Sequence, residues 1–256
     1  MLIDFPKLAR FVRVPLQDLF FGLGRSTMSR SKLLGALIAL PMMVAGASSA
    51  QANIIGLTID GSGSISAANF TLQKSGYVSA LTALLNTDGT NSIGVWQFAT
   101  GVSPVFAVTK IDSAAAKTAL IAAISGMTQL GGSTAIGDSI VAATVGINAH
   151  VGGFGSKIID VSTDGFNNVG VAPATATAAA NLSGITVNCL GIGAGADCSW
   201  NGTGTDFAAA TFADFEAAIK TKLSKELTGV PEPMTLTLFG AGLAGAAAMR
   251  RRMKKA

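Results

Sequence analysis

Asp60-Gly61-Ser62-Gly63-Ser64 places one carboxylate and two hydroxyls within five residues, directly after the apolar run Ile54-Ile55-Gly56-Leu57-Thr58-Ile59. A hard divalent cation takes clustered oxygen donors of this kind as ligands. The same residue types build ordinary turns and helix N-caps, so the stretch acquires meaning from oxygen donors on other loops. Two such loops are present. Gly131-Gly132-Ser133-Thr134 opens a helical stretch, and the spacing puts Thr134 at its N-cap with the hydroxyl facing a neighbouring loop. The run from Lys157 to Thr163 reads as a buried strand closed by Asp164-Gly165, which supplies a second carboxylate. Loops at the carboxyl ends of parallel strands share one crevice. The chemistry expected is therefore capture of a cation by Asp60, Ser62, Ser64, Thr134 and Asp164.

The elements that would position these residues follow from periodicity. Strands are predicted over 53–59, 91–98, 103–109, 157–163 and 185–192, and helices over 66–86, 112–125, 134–149, 172–182 and 211–227. Their alternation predicts an α/β fold, a doubly wound, mostly parallel sheet with helices on both faces, in a single domain. Ala99-Thr100-Gly101 joins two consecutive strands and reads as a hairpin, which adds one antiparallel edge strand. The Ala/Thr-rich stretch 172–180 remains compatible with a helix that starts at Pro173.

In order and spacing, Asp60, Ser62, Ser64, Thr134 and Asp164 resemble the signature of von Willebrand factor A-type domains that carry a metal-ion-dependent adhesion site. The resemblance covers roughly 53 to 227 and agrees with the predicted strand and helix order. It implies that Asp60, both serines and Thr134 contact the cation directly or through water, and that Asp164 acts more often through water. Mg2+, with Mn2+ or Ca2+ in its place, is the implied cofactor. Mg2+ favours octahedral oxygen coordination, so the named side chains leave at least one position open. A protein partner's acidic residue is the implied occupant. Two other classes compete: a structural matrix or biofilm protein whose metal only ties loops together, and a metal-dependent hydrolase. For the hydrolase no general base stands out except Asp138, and the expectation is a binding protein rather than an enzyme.

Charge is segregated along the chain. Residues 1–52 carry a net +4, residues 53–230 a net −4 and residues 231–256 a net +4. The basic balance belongs to the ends and gives no support for nucleic-acid binding, which needs a basic patch on the folded domain. At the N-terminus, Arg30 and Lys32 precede an apolar run from Leu33 to Leu40, and Ala50-Gln51-Ala52 has the small-x-small form of a signal-peptidase site. Residues 1–52 are thus a leader, with mature protein starting near 53 and with either Met1 or Met28 as the start. Residues 53–228 form the domain. At the C-terminus, Pro231-Glu232-Pro233, an apolar run from Met234 to Met249 and a basic cluster from Arg250 to Lys255 resemble a PEP-CTERM sorting signal over 229–256. The run is slightly short for a span of about 20 residues, and its basic end would stay cytoplasmic. The resemblance implies transient membrane insertion, recognition by an exosortase, cleavage near Pro231-Glu232-Pro233, and delivery to the cell surface or medium alongside exopolysaccharide. A permanent single-span anchor is the alternative.

Other conspicuous residues read more plainly. Cys189 and Cys198 are the only cysteines, and in an exported chain a disulfide clipping the Gly191–Gly195 loop is favoured over metal or catalytic use. Gly191-Ile192-Gly193-Ala194-Gly195 lacks the spacing of a nucleotide loop and reads as a flexible surface loop. Asp138 either supports the cation site from behind or complements the helix dipole. His150 has no second histidine to make a zinc site or a triad. Asp160 reads as a buried polar residue paired locally. Trp96, Phe98, Phe70 and Tyr77 read as core, while Trp200 either contacts a partner or packs beneath its loop.

Overall fold

The computed structural model describes residues 52–152 and 154–228. The leader, the signal-peptidase site and the Pro231-Glu232-Pro233 segment lie outside the described residues. Among the described residues no helix is long and apolar enough to cross a membrane.

The strands are β1 (Ala52–Asp60), β2 (Asn91–Phe98), β3 (Val102–Lys110), β4 (Phe154–Thr163), β5 (Ile185–Ile192) and β6 (Asp206–Ala209). The helices are α1 (Ala67–Leu84), α2 (Ala114–Ser125), α3 (Ile136–Ala149), α4 (Pro173–Leu182) and α5 (Phe215–Thr228). The sheet order is β3-β2-β1-β4-β5-β6. All neighbouring pairs are parallel except β2 with β3. The expected architecture, a doubly wound sheet with one antiparallel edge strand, is the one observed.

Residues 53–60 of β1 are buried throughout, as a central strand covered on both faces requires. Alternate residues of each strand feed two separate cores. Leu57, Ile59, Ile93 and Val95 pack with Tyr77 and Leu81 of α1, Leu120 of α2 and Ile219 of α5. Ile54, Trp96, Phe98, Ile159 and Val161 pack with Ile140 and Ala143 of α3 and Ala180 of α4. Ser66 and Ser113 cap α1 and α2, each accepting a backbone N–H three residues on.

The structure departs from expectation at several elements, and β4 starts at Phe154 rather than 157. β6 has no counterpart in the predicted strands, because Asp-Phe-Ala-Ala is short, weakly β-forming and without alternation. α5 begins at Phe215 rather than 211. There Thr211 donates its hydroxyl to Asp214 at 2.8 Å and accepts the Ala213 N–H, so the chain makes a turn before the helix. α3 begins at Ile136, with consequences for Thr134 described below.

The chain leaves β1 toward β2 on one side and, after α3, joins β4 on the other, so the sheet reverses direction between β1 and β4. A crevice opens outside the carboxyl ends of the strands at such a point. Asp60 ends β1, and Asp164 follows the last residue of β4.

Candidate metal centre

Hydrogen bonds draw the three loops together. The Gly131 N–H donates to the Gly61 carbonyl and the Gly63 N–H to the Gly132 carbonyl, both at 2.8 Å, which stitches the Asp60–Ser64 loop to the one before α3. Gly131 and Gly132 adopt φ of 71° and 90°, a left-handed conformation that favours glycine. A Cβ on Gly132 would also collide with the Thr100 hydroxyl, which accepts the Ser133 N–H at 2.9 Å. The loop after β4 joins through Asn168: its side-chain oxygen accepts the Thr134 N–H at 2.7 Å, and its own N–H donates to the Thr134 carbonyl at 2.9 Å.

Four of the five sequence-derived donors form one hydrogen-bonded cluster. Asp60 is fully buried. One of its oxygens accepts the Ser62 N–H at 2.8 Å, and the other accepts the Thr163 hydroxyl at 2.7 Å. The Ser62 and Ser64 hydroxyls lie 3.0 Å apart, and Ser64 donates to Asp164 at 2.6 Å. Ser62 is buried, Asp164 half-buried and Ser64 exposed, so the cluster runs from the core to solvent. Thr134, 5% exposed, is held between the Gly132 and Asn168 contacts. It precedes the N-cap, Ala135, instead of occupying it. The N-cap expectation for Thr134 is therefore corrected, and its hydroxyl is not spent on capping the helix.

This donor set suits a small hard cation. Cis oxygens of an octahedron with metal–oxygen bonds of about 2.1 Å are separated by about 3.0 Å, and the two serine hydroxyls are already 3.0 Å apart. Among the described residues no cluster of three or more His, Cys, Asp or Glu could hold a metal. No cationic side chain pairs with Asp60 among the ion pairs of the described residues.

Burial pushes the Asp60 carboxyl up from 3.8 to about 6; the hydrogen bonds from Ser62 and Thr163 oppose the rise, and the Asp164 charge adds to it. A carboxyl raised by folding contributes stability that is present below its unfolded value and lost as pH rises through the folded one. In EDTA, Asp60→Asn is accordingly expected to be more stable than wild type at pH 7.5 by up to about 3 kcal/mol, with the gap shrinking to about 1 kcal/mol at pH 4.5. Urea denaturation at both pH values reads this, and an equal gap at both would reject it.

Asp138 lies in the first turn of α3, and its carboxylate accepts the Val171 N–H at 2.8 Å. With Asn167, which accepts the Gly137 N–H at 3.2 Å, it fastens the loop bearing Asp164 to the start of α3. Cys189 and Cys198 form a disulfide. Gly191 and Ile192 belong to β5 and are buried, so the flexible loop expected over 191–195 starts later and is clipped. Trp200 packs beneath that loop at 8% exposure and donates its ring N–H to the Asp197 carbonyl at 2.5 Å.

Sequence reasoning missed the amides that fix the cluster. Gln73 donates to the Asp60 carbonyl at 2.9 Å, and Gln129 donates to the carbonyls of Ser62 and Ile65 at 3.0 and 2.7 Å. Thr163 was read only as the end of a strand. A buried Gln on a helix face carries a weak signal, since nothing local says which carbonyl it will meet. Asn167-Asn168 beside Asp164-Gly165 carried a stronger one, because Asn side chains commonly accept loop N–H groups.

Residues 54–231 match the family model described as "Protein of unknown function (DUF1194)", and residues 229–252 match the PEP-CTERM protein-sorting motif. No curated protein matches. Among solved structures, the chain is similar to proximal thread matrix protein 1 from the mussel byssus at 25% identity and a TM-score of 0.58, covering 70% of this chain and 47% of that one. The same mussel protein with a zinc-occupied MIDAS motif gives 24% identity and a TM-score of 0.59, over 70% and 48% of the two chains. A von Willebrand factor type A protein from Catenulispora acidiphila matches at 18% identity and a TM-score of 0.58, over 69% and 43%. The pilus adhesin SpaC from Lactobacillus rhamnosus GG matches at 17% and 0.57, over 70% and 31%. The chain spans about half the length of the mussel chains it matches. The fold is von Willebrand factor A-like.

Proposed function

This chain belongs to the DUF1194 family, and we propose that its domain holds a divalent cation with Asp60, Ser62, Ser64, Thr134 and Asp164 and offers it to an acidic residue of a protein partner outside the cytoplasm. The observation that carries the reading is the chain of contacts from buried Asp60 through Ser62 and Ser64 to Asp164, with hydroxyls at octahedral spacing. When bound, Mg2+, or Mn2+ or Ca2+ in its place, supplies an open coordination position for a carboxylate oxygen.

The chain's own residues do the rest. Asp60 holds the Ser62 N–H and so fixes the hydroxyl loop. Asp164 accepts from Ser64 at the exposed end of the cluster, where a partner approaches. Leu130 and Phe166, 48% and 63% exposed, flank the loops that carry Thr134 and Asp164 and provide apolar surface around the charged contact. Asp138 accepts the Val171 N–H through one carboxylate oxygen and so anchors the loop that follows Asp164 to α3. The PEP-CTERM match supports export, exosortase processing near Pro231-Glu232-Pro233 and a surface or matrix location.

Calorimetric titration with Mg2+, Mn2+ and Ca2+, joined to binding of the protein to immobilised surface extract, tests the reading. The expected result is saturable heat with at least one cation, and binding that EDTA removes and added cation restores. Absence of heat with all three cations, or binding indifferent to EDTA, rejects it. A thermal shift with cation but no cation-dependent binding would favour the matrix role in which the metal only ties loops.

A further inference from the structure

The loop closed by the disulfide does not stand apart from the cation site. The Asp197 N–H donates to the Gly165 carbonyl at 3.3 Å, one residue beyond Asp164. A Cβ on Gly195 would lie 3.1 Å from the Asp164 carbonyl, so the loop runs close against that residue's backbone. Asp197 is fixed in turn, for its carbonyl accepts the Trp200 ring N–H at 2.5 Å and its side chain accepts the Ser199 N–H at 3.0 Å. Trp200 is anchored in the core beside Val187 and Cys189. The Gly165 N–H donates to Thr163, whose hydroxyl donates to Asp60. A continuous set of contacts thus links the Cys189–Cys198 bond to both carboxylates of the site. The opposite flank of the same loop is held separately by Asn167, Asn168 and Asp138.

We propose that the loop from Gly193 to Asn201 is a positioning element of the cation site, and that joining Cys189 to Cys198 completes the site after export. The inference rests on the cation-binding reading above. Each thiol gives up a proton and, together, the pair gives up two electrons to an oxidised dithiol carrier: one thiolate attacks the carrier disulfide, and the second displaces the carrier as its dithiol. Such carriers act in oxidising compartments, whereas the cytoplasm keeps the pair reduced. With the clip open, Asp197 and Gly195 no longer brace Asp164-Gly165, while the Asn167–Asp138 flank stays in place. The cation site is then loosened rather than lost. Cys198 is half-buried, so a reductant reaches it, while Cys189 is buried.

The test compares the oxidised protein with the same protein reduced by a phosphine, thiols counted, and reoxidised. Mn2+ affinity by calorimetry is expected to fall about tenfold on reduction, in the range of lost supporting contacts at metal sites, and to return on reoxidation. In metal-free protein, amide exchange at Gly165–Asn168 is expected to rise on reduction while β1 amides stay protected. The Cys189→Ala/Cys198→Ala variant should match the reduced protein and ignore the phosphine. Reduced protein that binds Mn2+ within twofold of the oxidised form overturns the proposal. If neither form binds Mn2+, the cation reading itself fails; exchange at Gly165–Asn168 then decides on the bracing role alone, and exchange unchanged by reduction overturns it.

Discussion

Asp60→Ala is expected to weaken Mg2+ and Mn2+ binding by more than about 100-fold and to leave the domain folded. Loss of a group that merely supports a metal ligand costs 10–100-fold, and Asp60 is more central than that. It brings the buried negative charge that a cation complements, and it orders Ser62 through its N–H and Thr163, the neighbour of Asp164, through its hydroxyl. Alanine removes the charge and frees both donors together. The fold survives because the charge is itself a burden in metal-free protein, with burial holding its carboxyl near 6. Calorimetry reads the affinity, and a thermal melt in EDTA reads the fold. Binding of Mn2+ by the variant within threefold of wild type would remove Asp60 from the site.

The second large effect lies away from the cation. Lys222 on α5 is fully buried, 2.9 Å from Asp160 on β4 and 2.5 Å from Glu226 one helical turn on. The Glu226 carboxylate also accepts from Asn188 at 2.7 Å. The Lys222–Asp160 contact is an ion pair by distance without hydrogen-bond alignment, and both Asp160 oxygens lack a hydrogen-bond donor. Burial alone would lower the lysine's pKa, but Asp160 and Glu226 outweigh it and the net direction is upward, so the ammonium stays charged. Burial raises the Asp160 carboxyl to about 7 against the pull of Lys222, with Glu226 adding to the rise.

Lys222→Met removes the one positive charge of this group and strands two carboxyls in the core. Breaking a buried pair in this way costs about 3–5 kcal/mol, a large share of the roughly 5–15 kcal/mol that holds a domain folded. Urea midpoints are expected to fall accordingly. Lys220→Met, which breaks the exposed Lys220–Glu216 pair on the same helix, is expected to leave the urea midpoint almost unchanged, because solvent screens such a pair. Equal losses from the two substitutions would show that the buried group is not the lock assigned to it.

Much of this was legible in the residues. The apolar run ending in Asp60, the strand ending at Thr163 and the glycine pair before Thr134 are local patterns, and local patterns report elements and the loops between them. Partners separated by long stretches of chain left weaker traces. Asp160 was expected to pair locally, yet its partner is Lys222 on α5. The sequence did hold a hint: Phe215, Ile219, Lys222, Leu223, Glu226 and Leu227 share the buried face of α5, so a lysine and a glutamate sit where the helical period demands apolar side chains. Two opposite charges one turn apart on that face mark a buried polar group, but they pair with each other and do not name Asp160 as its third member. The Gln73 and Gln129 contacts offered no such hint, since an amide fits a helix surface, as at Gln73, or a loop, as at Gln129, equally well.

The direction of α5 has a mechanical outcome. Phe215, at its start, stacks near Tyr77 with ring centres 5.4 Å apart, and Tyr77 reaches Ser162 near the end of β4. Lys222 meets Asp160 lower on the same strand, and Glu226 meets Asn188, the β5 neighbour of Asp160. The helix therefore runs from the end of β4 that leads to Asp164 back to the middle of β4 and β5, and the sorting-motif match begins at residue 229, immediately beyond it. One helix thereby braces β4 and β5 together beneath the loop that carries Asp164.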